Sequence, residues 1–88
     1  MPNVRKCKTT KFRLKNAVGT RVREARLAPS NALTQDQLSG RLAGLKVSLD
    51  RAAVAKIELG LRHVYDFEVV ALATALKVDV RWLLIGVQ

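Results

Sequence analysis

Five residues suited to capping helices, Asn16, Thr34, Asp50, Asp66 and Asp79, stand at or just before segments with helical apolar spacing. A side-chain oxygen at such a position accepts from backbone N–H groups that a helix start leaves without partners. The chain is thereby divided into short helical pieces. Asn16 caps a first helix from about Ala17 to Leu27, with Val18, Val22 and Ala25 on its inner face. Ala28-Pro29-Ser30-Asn31 breaks it with turn formers. Thr34-Gln35-Asp36-Gln37 has the form of a capping box. The helix it opens buries Leu38, Leu42 and Leu45, while Gly40 and Gly44 weaken it.

Asp50 caps a third helix, Arg51 to about Leu59, terminated by Gly60 at the position that favours a left-handed backbone. Its core-directed residues are Val54 and Ile57, and its remaining surface is plain, as in a helix that presents a face. Asp66 is expected to cap a fourth helix through Leu76, with Phe67, Val69, Val70, Leu72, Ala73 and Leu76 in the core. Asp79 caps a short fifth helix from Val80 to Leu84, ended by Gly86, and Trp82 with Leu83 or Leu84 closes the core beneath the fourth. No segment alternates with period two between hairpin turns, so the expected class is all-α.

With 88 residues, 49% of them hydrophobic, the chain builds one small domain with a core of its own. The longest apolar run, Val69 to Leu76 apart from one Thr, is far shorter than the ~20 residues of a membrane-spanning helix. The N-terminus is basic but lacks the apolar stretch of a secretory signal, so a cytoplasmic protein is expected. Cys7 is the single cysteine and reads as an idle thiol, and His63 is the single histidine. No disulfide, metal site, cofactor or catalytic constellation is expected, and an enzyme is not the reading.

The charge is lopsided. Residues 1–26 carry nine basic side chains against Glu24 alone, for a net of +8, and the rest of the chain is nearly neutral at +1. This divides the chain into a basic arm, 1–15, and a compact domain, 16–88. Nucleic acid is the first partner to consider; a solubilising tail or a membrane-surface patch remains open. Residues 4–15 lack the apolar stripe of a membrane-lying helix.

Two short helices joined by a connection, the second ending in Lys56-Ile57-Glu58-Leu59-Gly60, are the parts of a helix-turn-helix. Together with Val18-Gly19-Thr20-Arg21-Val22-Arg23, Leu33-Thr34-Gln35-Asp36-Gln37-Leu38, Val54-Ala55-Lys56-Ile57-Glu58-Leu59-Gly60 and Leu72-Ala73-Thr74-Ala75-Leu76-Lys77-Val78, the sequence resembles the phage-repressor/Cro-type helix-turn-helix family. This is the xenobiotic-response-element-like group of bacterial regulators, and the resemblance covers roughly residues 16 to 85. It implies a five-helix lambda-repressor-like domain whose third helix enters the major groove. The function implied is a sequence-specific transcriptional regulator, a repressor, that binds double-stranded DNA as a homodimer. One departure is the stretch Ala43-Gly44-Leu45-Lys46-Val47-Ser48-Leu49, longer than the family's Gly-centred turn; it implies either a longer second helix or a looser turn.

Arg51, at the start of the third helix, suits O6 and N7 of guanine, with a phosphate contact or a salt bridge to Asp50 as alternatives. Ala52 and Ala55 suit a thymine methyl, and Lys56 faces either the groove or a phosphate. Thr34 and Gln35 open the second helix, where free N–H groups and a side-chain amide hold phosphate oxygens, with a second capping contact as the alternative for Gln35. The family pattern puts Arg21 near an adjacent phosphate and Arg62 on the DNA backbone, and gives Glu58 a structural role. Ile85, Val87 and whichever of Leu83 and Leu84 does not enter the core are left for a dimer surface. The rival reading is an antitoxin-like or adaptor module with a protein partner, slightly favoured by the plainness of Ala52 and Ala55.

Overall fold

The computed structural model describes residues 14–87. The expected basic arm, except for Leu14 and Lys15, lies outside the described residues, as does Cys7. Among the described residues there are five helices and no strand: α1 (Gly19–Leu27), α2 (Gln35–Gly44), α3 (Arg51–Glu58), α4 (Asp66–Leu76) and α5 (Val80–Ile85). They wrap one core in which Val18, Val22, Leu38, Leu42, Val54, Ile57, Leu72, Leu76 and Leu83 are fully buried. None of these helices is long and apolar enough to cross a membrane.

α1 starts two residues later than the sequence suggests, and its cap position falls on Val18, which has no side-chain cap bond, rather than on Asn16. Asn16 still ties down the entry to the helix: its Oδ1 accepts from Val18 N at 3.1 Å and Gly19 N at 2.8 Å. Its Nδ2 donates to the carbonyls of Ile57 at 3.1 Å and Arg62 at 2.9 Å, so the same side chain also closes the end of α3. The two helices meet at Gly19, where a Cβ would collide with the Ile57 carbonyl oxygen and come within 3.1 Å of that of Glu58. Only a residue without a side chain permits this approach.

The Thr34–Gln37 capping box forms, with Gln37 N donating to Thr34 Oγ1 at 3.0 Å and Thr34 N to Gln37 Oε1 at 2.9 Å. The long connection to α3 resolves in favour of the longer helix. α2 continues through Gly44, Lys46 turns the chain with φ of 65°, and Val47 N donates back to Leu42 O at 3.0 Å. Leu49 then plugs into the core, and Ser39 Oγ donates to its carbonyl at 2.6 Å. The turn is long but tied down at both ends. Leu45, expected on the buried face, is instead 42% exposed, because this reversal carries it away from the core.

The start of α4 corrects the sequence reading. Tyr65, with extended backbone, occupies the cap position, and Asp66 is the first helical residue. The capping oxygen is that of Glu68, which accepts from Tyr65 N at 3.0 Å. Phe67 and Val70 are also out of place as core residues: they are 59% and 54% exposed. Helical spacing puts them with Thr74 on the side opposite Val69, Leu72, Ala73 and Leu76. At α5, Asp79 Oδ1 accepts from Arg81 N at 2.7 Å and Gly86 takes φ of 76°, while the helix runs one residue further than expected, to Ile85. Leu83 is the core residue, Trp82 is half-buried and Leu84 is exposed.

Candidate nucleic-acid interface

α3 begins where Asp50 Oδ1 accepts from Ala53 N at 2.8 Å, and it ends at Gly60, whose φ of 74° needs a glycine. Val54, Ile57 and Glu58 are buried. Arg51, Ala52, Lys56 and Leu59 are exposed and Ala55 is partly so. At about 100° per residue these five occupy an arc of about 140° that the other described residues leave largely open. The four residues expected to read bases therefore share one face, which Leu59 extends at its C-terminal end. Arg51 forms no ion pair with Asp50. Its guanidinium is free to point away from the domain.

One flank of this face is the start of α2. Gln35 Nε2 donates to Glu58 Oε1 at 3.1 Å. Glu58 lies on the same side of α3 as Arg51 and Ala55, within about 60° of both. Thr34 and Gln35 are thereby placed alongside the exposed arc, with the first-turn N–H groups of α2 lacking intrahelical partners. Glu58 itself is structural, as expected: Arg26 Nε donates to its Oε2 at 2.6 Å and Arg26 Nη2 to its Oε1 at 3.0 Å.

The opposite flank is a groove lined by Lys15, Asp50, Ala52, Lys56, Arg62 and Tyr65, among others. Lys15 enters because its backbone N–H donates to Gly60 O at 2.8 Å. Arg62 lies here but is partly engaged. Its Nη1 donates to His63 O at 2.8 Å and to Glu68 Oε1 at 3.0 Å, and its Nη2 donates to Glu68 Oε2 at 3.3 Å. The hydrogen bond to Glu68 holds the Arg62 pKa above its ordinary value, outweighing burial. Burial pushes the Glu68 carboxyl up, but the hydrogen bonds from Arg62 and the Tyr65 N–H leave it below the ordinary value. Nε and the second N–H of Nη2 remain for an outside acceptor.

Arg21 is the site candidate that stands apart. Its Nη1 donates to Ala17 O at 3.3 Å, and its guanidinium lies over Gly86 at the end of α5. Arg26, which the sequence reading counts only with the basic end of the chain, is part of the packing that holds this face in place. It is buried in the contact between α1 and α3. Its spacing from Val22 and Gly19 on one side of α1 is the signal that placed it inward. Among the described residues, no group of three or more His, Cys, Asp or Glu side chains is arranged to hold a metal ion.

A short helix held by its inner face against α2, with an uncovered outer face bearing Arg and Lys, defines a helix-turn-helix domain of the DNA-binding class. Known structures bear this out. The restriction-modification controller protein C.AhdI from Aeromonas hydrophila is 35% identical, with a TM-score of 0.63 over 75% of this chain and 86% of that one. The P22 c2 repressor protein, solved with synthetic operator 9T in the presence of Tl+, shares the fold at 24% identity and a TM-score of 0.65, covering 82% of this chain and 98% of that one. No family model and no curated protein matches the chain. The chain belongs to the phage-repressor/Cro-type helix-turn-helix family of DNA-binding transcriptional regulators.

Proposed function

We propose that this protein is a repressor that binds double-stranded DNA as a homodimer, with α3 in the major groove. The observation that carries the reading is the uncovered arc of α3, where Arg51, Ala52, Ala55 and Lys56 converge while Val54, Ile57 and Glu58 lock the helix to the core. Arg51 pairs with a guanine edge, Ala52 and Ala55 pack on thymine methyls, and Lys56 reaches a base or the adjoining phosphate. Thr34 and Gln35 hold a phosphate on one flank, and the free donors of Arg62 hold another across the groove. Arg21, laid on the end of α5, contributes only if the DNA curves towards that end of the domain.

One helix reads only a few base pairs, so two copies on a pseudo-palindrome supply the specificity. The exposed apolar side chains Leu84, Ile85 and Val87, together with Phe67 and Val70 on α4, are the candidates for joining them. Beyond the plainness of Ala52 and Ala55, nothing in the described structure supports an adaptor module with a protein partner.

The test is selection from a random double-stranded oligonucleotide library at low and near-physiological salt, with sequencing of the bound fraction. The expected result is a palindromic site that survives the higher salt and that Arg51→Ala relaxes at one position per half-site, at a cost of about 1–3 kcal/mol. Binding that is sequence-blind and lost in salt overturns the reading.

A further inference from the structure

Where α1, α2 and α3 meet, one guanidinium serves all three. Arg26 is 8% exposed and the Glu58 side chain 2%. Besides its two bonds to Glu58, Arg26 donates from Nη1 to Leu33 O at 2.9 Å, and its own carbonyl accepts from Leu33 N at 2.9 Å. Leu33 is the residue before the α2 cap. The carboxylate oxygen that takes Arg26 Nη2, Oε1, is also the one that takes Gln35 Nε2. Arg26 thus fixes both the backbone entering α2 and the acceptor that holds the first side chain of α2.

The chemistry of the carboxamide makes this consequential. A glutamine can present either its C=O or its NH2 to a neighbour, and a phosphate accepts only from the NH2. A carboxylate likewise only accepts, so Glu58 turns the Gln35 amide nitrogen inward. One N–H is used on Oε1, and the second, set at the fixed angle of a planar amide, is left for an outside oxygen. A mobile glutamine would lose rotamer freedom on binding and would sample the orientation that repels phosphate. Glu58 without Arg26 would leave an unbalanced negative charge beside the same phosphate.

We propose that Arg26 is a positioning residue for DNA binding, acting through Glu58 to orient the Gln35 carboxamide toward a phosphate. The inference rests on the reading of Thr34 and Gln35 as phosphate contacts, and its test keeps the two separable. A buried ion pair is replaced by apolar residues of similar volume with little loss of stability, so the double change Arg26→Met with Glu58→Met removes the orienting acceptor without leaving a lone charge.

The probe is the duplex recovered by the library selection, and the readout is affinity with and without Gln35→Ala. In the parent protein, Gln35→Ala weakens binding on the order of tenfold, the worth of one hydrogen bond to a charged group. In the Arg26→Met, Glu58→Met background, binding is already weaker by a similar factor and Gln35→Ala costs nothing more. The slope of log affinity against log salt stays unchanged throughout, because a neutral amide displaces no counterion and a buried arginine reaches no phosphate.

A slope that falls by about 0.9 would mean that Arg26 itself meets phosphate, and the positioning role is then wrong. Equal tenfold losses in both backgrounds also overturn it, since Gln35 would then find its place without Glu58. A silent Gln35→Ala in the parent defeats the phosphate contact on which the inference rests, and failure to recover any duplex defeats the DNA-binding reading instead. Should the double variant not fold, Glu58→Asp retains the charge pair with Arg26 but withdraws the carboxylate from Gln35. It is expected to make Gln35→Ala equally silent.

Discussion

Gly19→Ala tests the joint on which presentation of α3 depends. The added methyl meets the Ile57 carbonyl oxygen, with the Glu58 carbonyl oxygen and Asn16 Oδ1 each at 3.1 Å. Two of these three atoms are backbone, so no rotamer change relieves the clash; α1 and α3 must separate. Overpacking of this kind costs about 1–3 kcal/mol. Separation also strains the Asn16 bond to Ile57 O, worth about 1 kcal/mol, and opens the seam between Val18, Val22 and Ile57. Against this stands the helix preference of alanine over glycine, about 1 kcal/mol. The net expectation is a loss of about 1–3 kcal/mol, a fall in Tm on the order of 5–20 °C for a domain of this size. Gly40→Ala is the matched control, because a Cβ there meets nothing within 4 Å. It should gain roughly 0.5–1 kcal/mol. Urea titrations of both variants read the difference directly. A Gly19→Ala protein as stable as its parent, with Gly40→Ala behaving as expected, would refute the close-approach argument.

Leu49→Ala empties a buried site in the long turn and should cost about 2–4 kcal/mol by chemical denaturation, unlike Leu45→Ala at an exposed position of the same turn. The Glu68 carboxyl is held below its ordinary value of 4.5, so its contribution is present above that pH and is lost as pH falls through the lower, folded-state value. Stability measured from pH 6 down to about pH 3 should therefore decline more steeply in the parent than in Glu68→Gln, and parallel curves would show that the Arg62–Glu68 pair carries no linkage.

Much of this fold was legible because caps are local. Thr34, Asp50 and Asp79 make their expected cap bonds within three residues of themselves, and nothing tertiary is needed to place them. At α4 the cap position moves back one residue to Tyr65, whose N–H donates to Glu68, and Glu68 is held there by Arg62 and by burial, so this start depends on a fold-level contact. Beyond Glu68, α4 is apolar nearly all round, with Thr74 the one polar side chain, so its sequence does not say which side faces solvent and does not separate Phe67 and Val70 from the core residues. The exposed face of α3 was legible because its inner positions are Val54 and Ile57, and small or charged residues remain for the outside. Arg26 was not, since its inward spacing from Gly19 and Val22 is set against its charge until its carboxylate partner, thirty-two residues later, is brought against it.

The same burial changes what the net charge says about DNA. Formal charge is +9, with nine of the basic side chains in residues 1–26. Counterion release, however, counts cations that reach phosphates, not cations in the composition. Arg26 is neutralised inside the domain and Arg21 lies over Gly86, so two of those nine are spent on structure. On the proposed DNA face the described domain offers Arg51, Lys56, Lys15 and the outer donors of Arg62. If all four met phosphate, at about 0.9 each, the log affinity of a protomer would fall with log salt at a slope near −3.6. Arg51 paired with guanine would lower that to about −2.7. A measured slope within this range assigns the salt dependence to the folded face alone. A steeper one assigns the excess to Arg5, Lys6, Lys8, Lys11 and Arg13, and substituting those five with glutamine should return it to the range without moving the selected sequence, because backbone contacts position while base contacts specify.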